Sequence, residues 1–283
     1  MRRAPPFVRA GPGAADAGAR ARLKLLTSDS NPLFRRWLRL ASSPRAVREL
    51  GQTLAEGLHL AQAIAQSQWP VIAALVRRGA REETIDSALA QLPAQTACFQ
   101  LPALLYDRIS PVERGIGLTL LIPAAAATPP TASREDLIYL DAIQDPVNVG
   151  AVLRTAAAAG IAHALCGPAT AAAWSPRALR AAMGAHFRLR ISEGVSSDSL
   201  GAVLAGTWIG AVAHDAPSLW DCEIPRQAVG WAFGSEGGGL STAVLAQCAL
   251  RVRIPIKGEI ESLNVAAAAA VCLFERNRRA GRS

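Results

Sequence analysis

The sequence predicts an α/β protein of two units, the second built on a largely parallel sheet covered on both faces. Three observations lead there. Apolar strand-like runs alternate with helical segments through the second half of the chain. The length, 283 residues, suits two domains of ordinary size. A charge-free stretch, IPAAAATPPTAS at residues 122–133, has the Pro, Ala, Thr and Ser content of a linker between them.

Taken in order, residues 1–27 begin MRRAPPFVRAGPGAADAGARAR, a Pro, Gly, Ala and Arg mixture that reads as a disordered basic arm. It has two arginines at the start but no apolar run of the kind a secretory signal carries. Residues 28–121 alternate: a helical stretch NPLFRRWLRLASSPRAVREL, a short QTLAEG, a helix LHLAQAIAQ, an apolar PVIAALV and a helical REETIDSALAQL. Residues 134–283 bring the runs LIYLDAI, AHALC, WIGAVA, VGWAFG and RVRIPI. Between them lie ALRAAMGAHF, SLGAVLAG and TAVLAQCA, and NVAAAAAVCLFERNRRA follows the last run.

Composition narrows the function classes. Apolar residues make up 51% and charged residues 18%, which excludes wholesale disorder. No run approaches the roughly 20 apolar residues of a membrane-spanning helix, so a soluble protein is expected, and the cysteine usage fits a reducing cytoplasm. Cys98, Cys166, Cys222, Cys248 and Cys272 form no CxxC pair and suggest buried small hydrophobes rather than a disulfide framework or a metal site. The charge is uneven: residues 1–114 hold 16 cations against 9 acids, residues 115–283 hold 14 against 13, and 28 of the 30 cations are arginine. Arginine suits bidentate phosphate contacts, so a polyanion is the expected partner of the first part.

Three clusters carry the chemistry. DPVNVGAVLRTAAAAG, Asp145 to Gly160, stands where a strand opens into a helix, with Pro146 and Gly150 shaping the turn. FGSEGGGLS, Phe233 to Ser241, puts four glycines and Glu236 into six residues directly after a strand, where a backbone can approach a ligand closely. RIPIKGEIESLNVAAAAAV, from Arg253, ends a strand at Pro255 and sets Ser262 and Asn264 at the mouth of the last helix, where by default they are caps. No GxGxxG is present, and Lys257 follows IPI rather than a glycine loop, which disfavours ordinary dinucleotide and P-loop sites.

In order, N-x-G-A-x-x-R-T-A, G-S-E-G-x-G-L and I-P-I-x-G-x-x-x-S-L-N-V-A resemble the three motifs of the SpoU/TrmH family of RNA ribose 2′-O-methyltransferases, of the SPOUT superfamily. The first unit, with TLAEGLHL around Glu56 and Gly57, is similar to the L30e-like substrate-binding domain often found ahead of that catalytic domain. The resemblance implies a parallel sheet with a C-terminal trefoil knot, S-adenosylmethionine bound at the knot, ribosomal or transfer RNA as substrate, a homodimer and no metal. It implies Arg154, Asn148, Glu236, Ser262 and Asn264 as the catalytic set. Gly234, Glu236, Gly237, Ile254, Ser262, Leu263 and Asn264 are implied around the methyl donor.

Several alternatives stay open on the residues alone. Arginine is ordinarily protonated, so Arg154 is either a clamp on the phosphate beside the target ribose or a base whose charge its site disfavours; a pairing with Asp141 or Asp145 is the bland reading. Glu236 either fixes its loop through backbone amides or contacts RNA or Arg154. Trp37, among Arg35, Arg36 and Arg39, either stacks a base or anchors a core. A non-catalytic RNA-binding or ribosome-assembly protein that keeps the fold is the rival to the enzyme.

Overall fold

The computed structural model describes residues 23–80, 82–111, 115–258 and 261–281. The first unit contains β1 (Leu23–Leu25), α1 (Pro32–Ser42), α2 (Pro44–Leu50), β2 (Gln52–Glu56), α3 (Leu58–Ser67) and β3 (Ala73–Arg77). It continues with α4 (Glu82–Ala90), β4 (Ala97–Leu101), α5 (Ala103–Ile109) and β5 (Leu118–Pro123). Its sheet runs β1-β4-β3-β5-β2, with β5 antiparallel to both neighbours.

The second unit contains β6 (Leu137–Asp141), α6 (Pro146–Ala158), β7 (His163–Cys166), α7 (Pro176–Ala182), β8 (Arg190–Glu193) and α8 (Leu200–Val203). Then come β9 (Thr207–Val212), β10 (Val229–Gly234), α9 (Thr242–Gln247), β11 (Leu250–Arg253) and α10 (Val265–Ala280). All six strands are parallel in the order β11-β9-β10-β6-β7-β8. Strand order reverses between β6 and β10: the chain first builds outward from β6 through β7 to β8, then returns to the other side. In such sheets ligands bind beyond the strand carboxyl ends at the reversal point. Here those ends are Asp141 and Gly234, and the first two sequence clusters follow them directly.

Local chemistry accounts for the departures from the sequence reading. The stretch read as one helix from Asn31 to Leu50 is two, because Pro44 cannot donate a hydrogen bond and restricts the residue before it. Ser43 ends α1 through its amide on Arg39 O and caps α2 through its hydroxyl on Ala46 N. Gly150 lies inside α6 rather than in its turn; a Cβ there would sit 2.3 Å from Ala178 O, so its bareness is what lets α6 and α7 cross closely. Trp37 is only 1% exposed and packs its ring on Phe99 at 5.2 Å, which makes it a core anchor and removes it as a base-stacking platform.

The expected boundaries also move. Leu23–Leu25 ladder onto Cys98–Gln100 and Leu26 is buried, so these residues belong to the first sheet and not to the arm assigned to 1–27. Residues 1–22 lie outside the described residues. The stretch read as a linker, 122–133, is no free tether: Ile122 and Pro123 complete β5, and Ala124 N bonds Gly51 O at 2.9 Å. Farther on, Ala127 N reaches Ile191 O and Ser133 N reaches Val203 O at 2.9 and 2.8 Å. The units are further joined where Thr53 Oγ1 donates to Trp174 O at 2.6 Å and the rings of Trp69 and Trp174 stack at 5.7 Å. One apolar core runs through both.

At this joint His186 is fully buried, one ring nitrogen 2.6 Å from Ala173 O, its ring edge-on to Trp174. Burial pulls it down to about 4 from the usual 6.5. A lowered folded-state value means the unfolded chain takes up the proton first, so the stability His186 supports is complete above about pH 6.5 and drains away as pH falls toward 4. Denaturant unfolding at pH 7 and pH 5 should differ by about 2 kcal/mol from this group, and His186→Phe should flatten that difference.

Among the described residues no helix is long and apolar enough to cross a membrane. Cys166, Cys222, Cys248 and Cys272 are free thiols, and burial raises Cys248 to about 11 and Cys272 to about 12.

Candidate active site

The site begins with two turns at the carboxyl ends of β6 and β10. Asp145 caps α6, its carboxylate accepting from Val147 N at 2.9 Å with Pro146 in the first helical position, and so aims the next residue, Asn148, across the sheet end. After β10 the chain closes on itself: Ser235 N bonds Gly239 O and Gly239 N bonds Ser235 O at 3.1 and 2.8 Å. A Cβ on Gly234 would lie 2.1 Å from the Gly239 carbonyl carbon, so this closure requires glycine. Asp141, at the end of β6, accepts from Ser241 N at 2.7 Å and fixes the loop exit.

The three clusters meet in a triangle of side chains. Asn148 Nδ2 donates to Glu236 Oε1 at 2.6 Å, and Asn264 Nδ2 donates to the same oxygen at 2.9 Å and to Asn148 Oδ1 at 3.0 Å. Asn264 is also the cap of α10, its Oδ1 accepting from Ala266 N and Ala267 N at 3.0 and 3.4 Å. Asn264 thus caps α10 through its Oδ1 and joins the other two clusters through its Nδ2, different atoms of one amide. Glu236 fixes no backbone amide in its own loop; it ties the glycine turn to the other two clusters.

Beside the triangle lies a cavity of about 430 Å³. Six of the seven residues expected around the donor line it, namely Gly234, Glu236, Gly237, Ile254, Ser262 and Leu263, while Asn264 stands in the triangle. The sequence reading missed the contribution of β9, which brings Ala211 to His214 to the wall, and of Leu240 and Leu245. The signal was available in principle, since β9 pairs in parallel with β10 and its carboxyl end must face the same crevice.

Arg154 is placed elsewhere. It is exposed on α6, six residues beyond Asn148, and lines a separate cleft between the two units together with Glu56, Arg177 and Arg180. Six residues along a helix are about 9 Å of rise and about one and two-thirds turns, which leaves the side chains about 120° apart, so Asn148 and Arg154 face different ways. Neither proposed carboxylate partner engages it, since Asp141 and Asp145 accept from the amides of Ser241 and Val147.

Comparison with known proteins decides the family. The SpoU rRNA Methylase family matches residues 136–274. A tRNA/rRNA methyltransferase of Synechocystis, itself uncharacterised, is 31% identical over 265 residues, 90% of this chain and 93% of that protein. The chain belongs to the SpoU family. Another relative, the 23S rRNA guanosine 2′-O-methyltransferase RlmP of Bacillus subtilis, is 29% identical over 89% of this chain and 98% of its own length. Among solved structures, the SpoU methyltransferase AviRb of Streptomyces viridochromogenes, in complex with AdoMet, superposes with a TM-score of 0.78 at 22% identity, covering 88% of this chain and 98% of that one. That likeness establishes a shared fold with a SPOUT methyltransferase.

Proposed function

We propose that this protein methylates the ribose 2′-oxygen of a guanosine in 23S ribosomal RNA, with S-adenosylmethionine as donor. As a SpoU member it is an RNA 2′-O-methyltransferase; the guanosine and the 23S RNA are carried over from RlmP, which it matches along nearly its whole length. The observation that carries an enzyme over a binding protein that merely keeps the fold is the Asn148–Glu236–Asn264 triangle, closed beside the cavity.

The cavity suits the donor. Its floor at Gly234 admits no side chain, so backbone is presented at close range, while Ile254 and Leu240 offer apolar surface to an adenine ring. The carboxylates of Glu236 and Glu261 on its lining favour a cationic group. Its volume of about 430 Å³ falls in the range of about 300–1,000 Å³ usual for small-molecule sites. When bound, S-adenosylmethionine supplies a methyl carbon activated by a positively charged sulfur.

The chain's own residues then align the nucleophile. Asn148 and Asn264 each donate to Glu236, so the carboxylate is held in one orientation toward the cavity rim. Ser262 lines the same rim and is a hydroxyl partner for the donor or the ribose. Arg154 grips the phosphate beside the target ribose, a role suited to an exposed guanidinium in an arginine-lined cleft.

The working unit is a homodimer in the cytoplasm. Val147 on α6, Leu263 just before α10 and Phe274 on α10 are exposed at 48%, 37% and 48%, apolar side chains that a second protomer would cover. Pairing there would bring Arg154 of one protomer to the cavity of the other. A trefoil knot through the glycine loop completes the expected catalytic fold.

The test is transfer of labelled methyl from S-adenosylmethionine to ribosomal RNA from a strain lacking the gene, followed by mapping of the product. Label at one 2′-O-methylguanosine is expected. Label on a base, or none despite measurable donor binding, would overturn the proposal.

A further inference from the structure

The cleft between the two units, about 670 Å³, has a composition unlike the donor cavity. At its base stands Glu56, 3% exposed, the last residue of β2. Its Oε2 accepts from Ser110 Oγ at 2.7 Å, while Oε1 has no hydrogen-bond partner. Burial raises its pKa, opposed by the Ser110 hydroxyl and by the charge of Arg180. A buried acceptor without a donor is costly unless something fills the place.

Two further features surround it. Arg177 and Arg180, one turn apart on α7, are both exposed on the cleft wall, and the Arg180 guanidinium lies 4.0 Å from where a Gly57 Cβ would be. Ile116 and Met183, exposed at 37% and 41%, line the same cleft and give it flat apolar surface. An unpaired acceptor, apolar walls and the two α7 cations, with Arg154 on the same cleft, together match one unpaired nucleotide: a base edge that donates, ring faces that pack, and phosphates that pair.

We propose that this cleft receives an unpaired guanosine of the RNA, its base read by Glu56 and its phosphates held by Arg177 and Arg180. Guanine is the base that offers two adjacent donors, N1–H and the N2 amino group, to one carboxylate; adenine offers an acceptor at N1, and inosine lacks the N2 amino group. Hydrogen bonds from the base to the carboxylate favour its ionised form and offset its burial. The proposal rests on the RNA-methyltransferase reading above, and it assigns Glu56 a role in substrate selection outside the three motif clusters.

The test uses the full chain and fluorescently labelled heptanucleotides UUUGUUU, UUUIUUU and UUUAUUU. Wild-type protein should bind the guanosine heptamer about tenfold more tightly than the other two. Glu56→Gln should bring the three within about twofold, whereas Arg177→Ala and Arg180→Ala should weaken all three alike and each lower the salt slope by about one. Ile116→Trp, which fills the cleft mouth, should weaken all three without changing donor affinity, and it tests the site even if Glu56→Gln fails to fold. No guanosine preference in the wild type, a preference that survives Glu56→Gln in folded protein, or unaltered binding by Ile116→Trp would overturn the proposal. Methyl transfer to ribosomal RNA is read separately, so failure of the cleft and failure of the enzymatic reading are told apart.

Discussion

Arg154→Ala is expected to lower methyl transfer by about a hundred- to a thousandfold, the usual loss when one charge-stabilising group is removed from a transition state. Donor affinity should stay within about threefold of wild type, because Arg154 lines the interdomain cleft and not the donor cavity. Arg154→Lys should recover only part of the rate: it keeps the charge and loses the two-pronged geometry that grips a phosphate. Single-turnover rates with ribosomal RNA, set against calorimetric donor binding, check both statements. Normal turnover in Arg154→Ala would remove it from the mechanism.

Gly234→Ala is expected to act on the other half of the site. The added methyl would meet the carbonyl carbon and oxygen of Gly239 and the amide of Leu240 at 2.1, 2.2 and 2.3 Å, all backbone atoms that cannot turn aside. The glycine loop must open, and with it the floor of the cavity. Donor affinity should fall about tenfold to a hundredfold, in line with the usual cost of forcing a group into a packed space. Equilibrium binding of S-adenosylmethionine to the variant measures this directly. The two variants together test the shared site: at a donor concentration that fills the wild-type cavity but not that of Gly234→Ala, an equal mixture, allowed to exchange protomers, should regain about a quarter of wild-type activity if Arg154 serves the partner's cavity, and nothing beyond the separate variants if it serves its own.

Much of the catalytic unit was legible because its physics is local. Runs such as LIYLD and VGWAF, buried almost throughout, can only be central strands of a sheet covered on both faces, and glycines clustered after one of them mark a close backbone approach. Asn148, Glu236 and Asn264 were identified through motif resemblance, and their hydrogen bonds span 88, 116 and 28 residues, separations that no periodicity encodes. What escaped the sequence is correspondingly non-local. The bareness of Gly150 answers to Ala178 on another helix, the stretch 122–133 looked unstructured because its partners are backbone groups far along the chain, and β1 is too short to carry an alternation. The interdomain cleft takes Glu56 from one unit and Arg154, Arg177 and Arg180 from the other, so it exists only once both are docked.

The docking of the two units through Trp69 and Trp174, Thr53 and the laid-down connecting strand has a consequence for timing in the cell. Under the proposed function, two units held together in this way would work as a caliper, accepting an RNA whose flanking nucleotides and target ribose already stand at the matching span. A transcript still extended, or one already sealed within a completed subunit, presents one point of contact without the other. Modification by such an enzyme would then date the RNA, marking the interval in ribosome maturation when that local shape has formed and is still open to the surface.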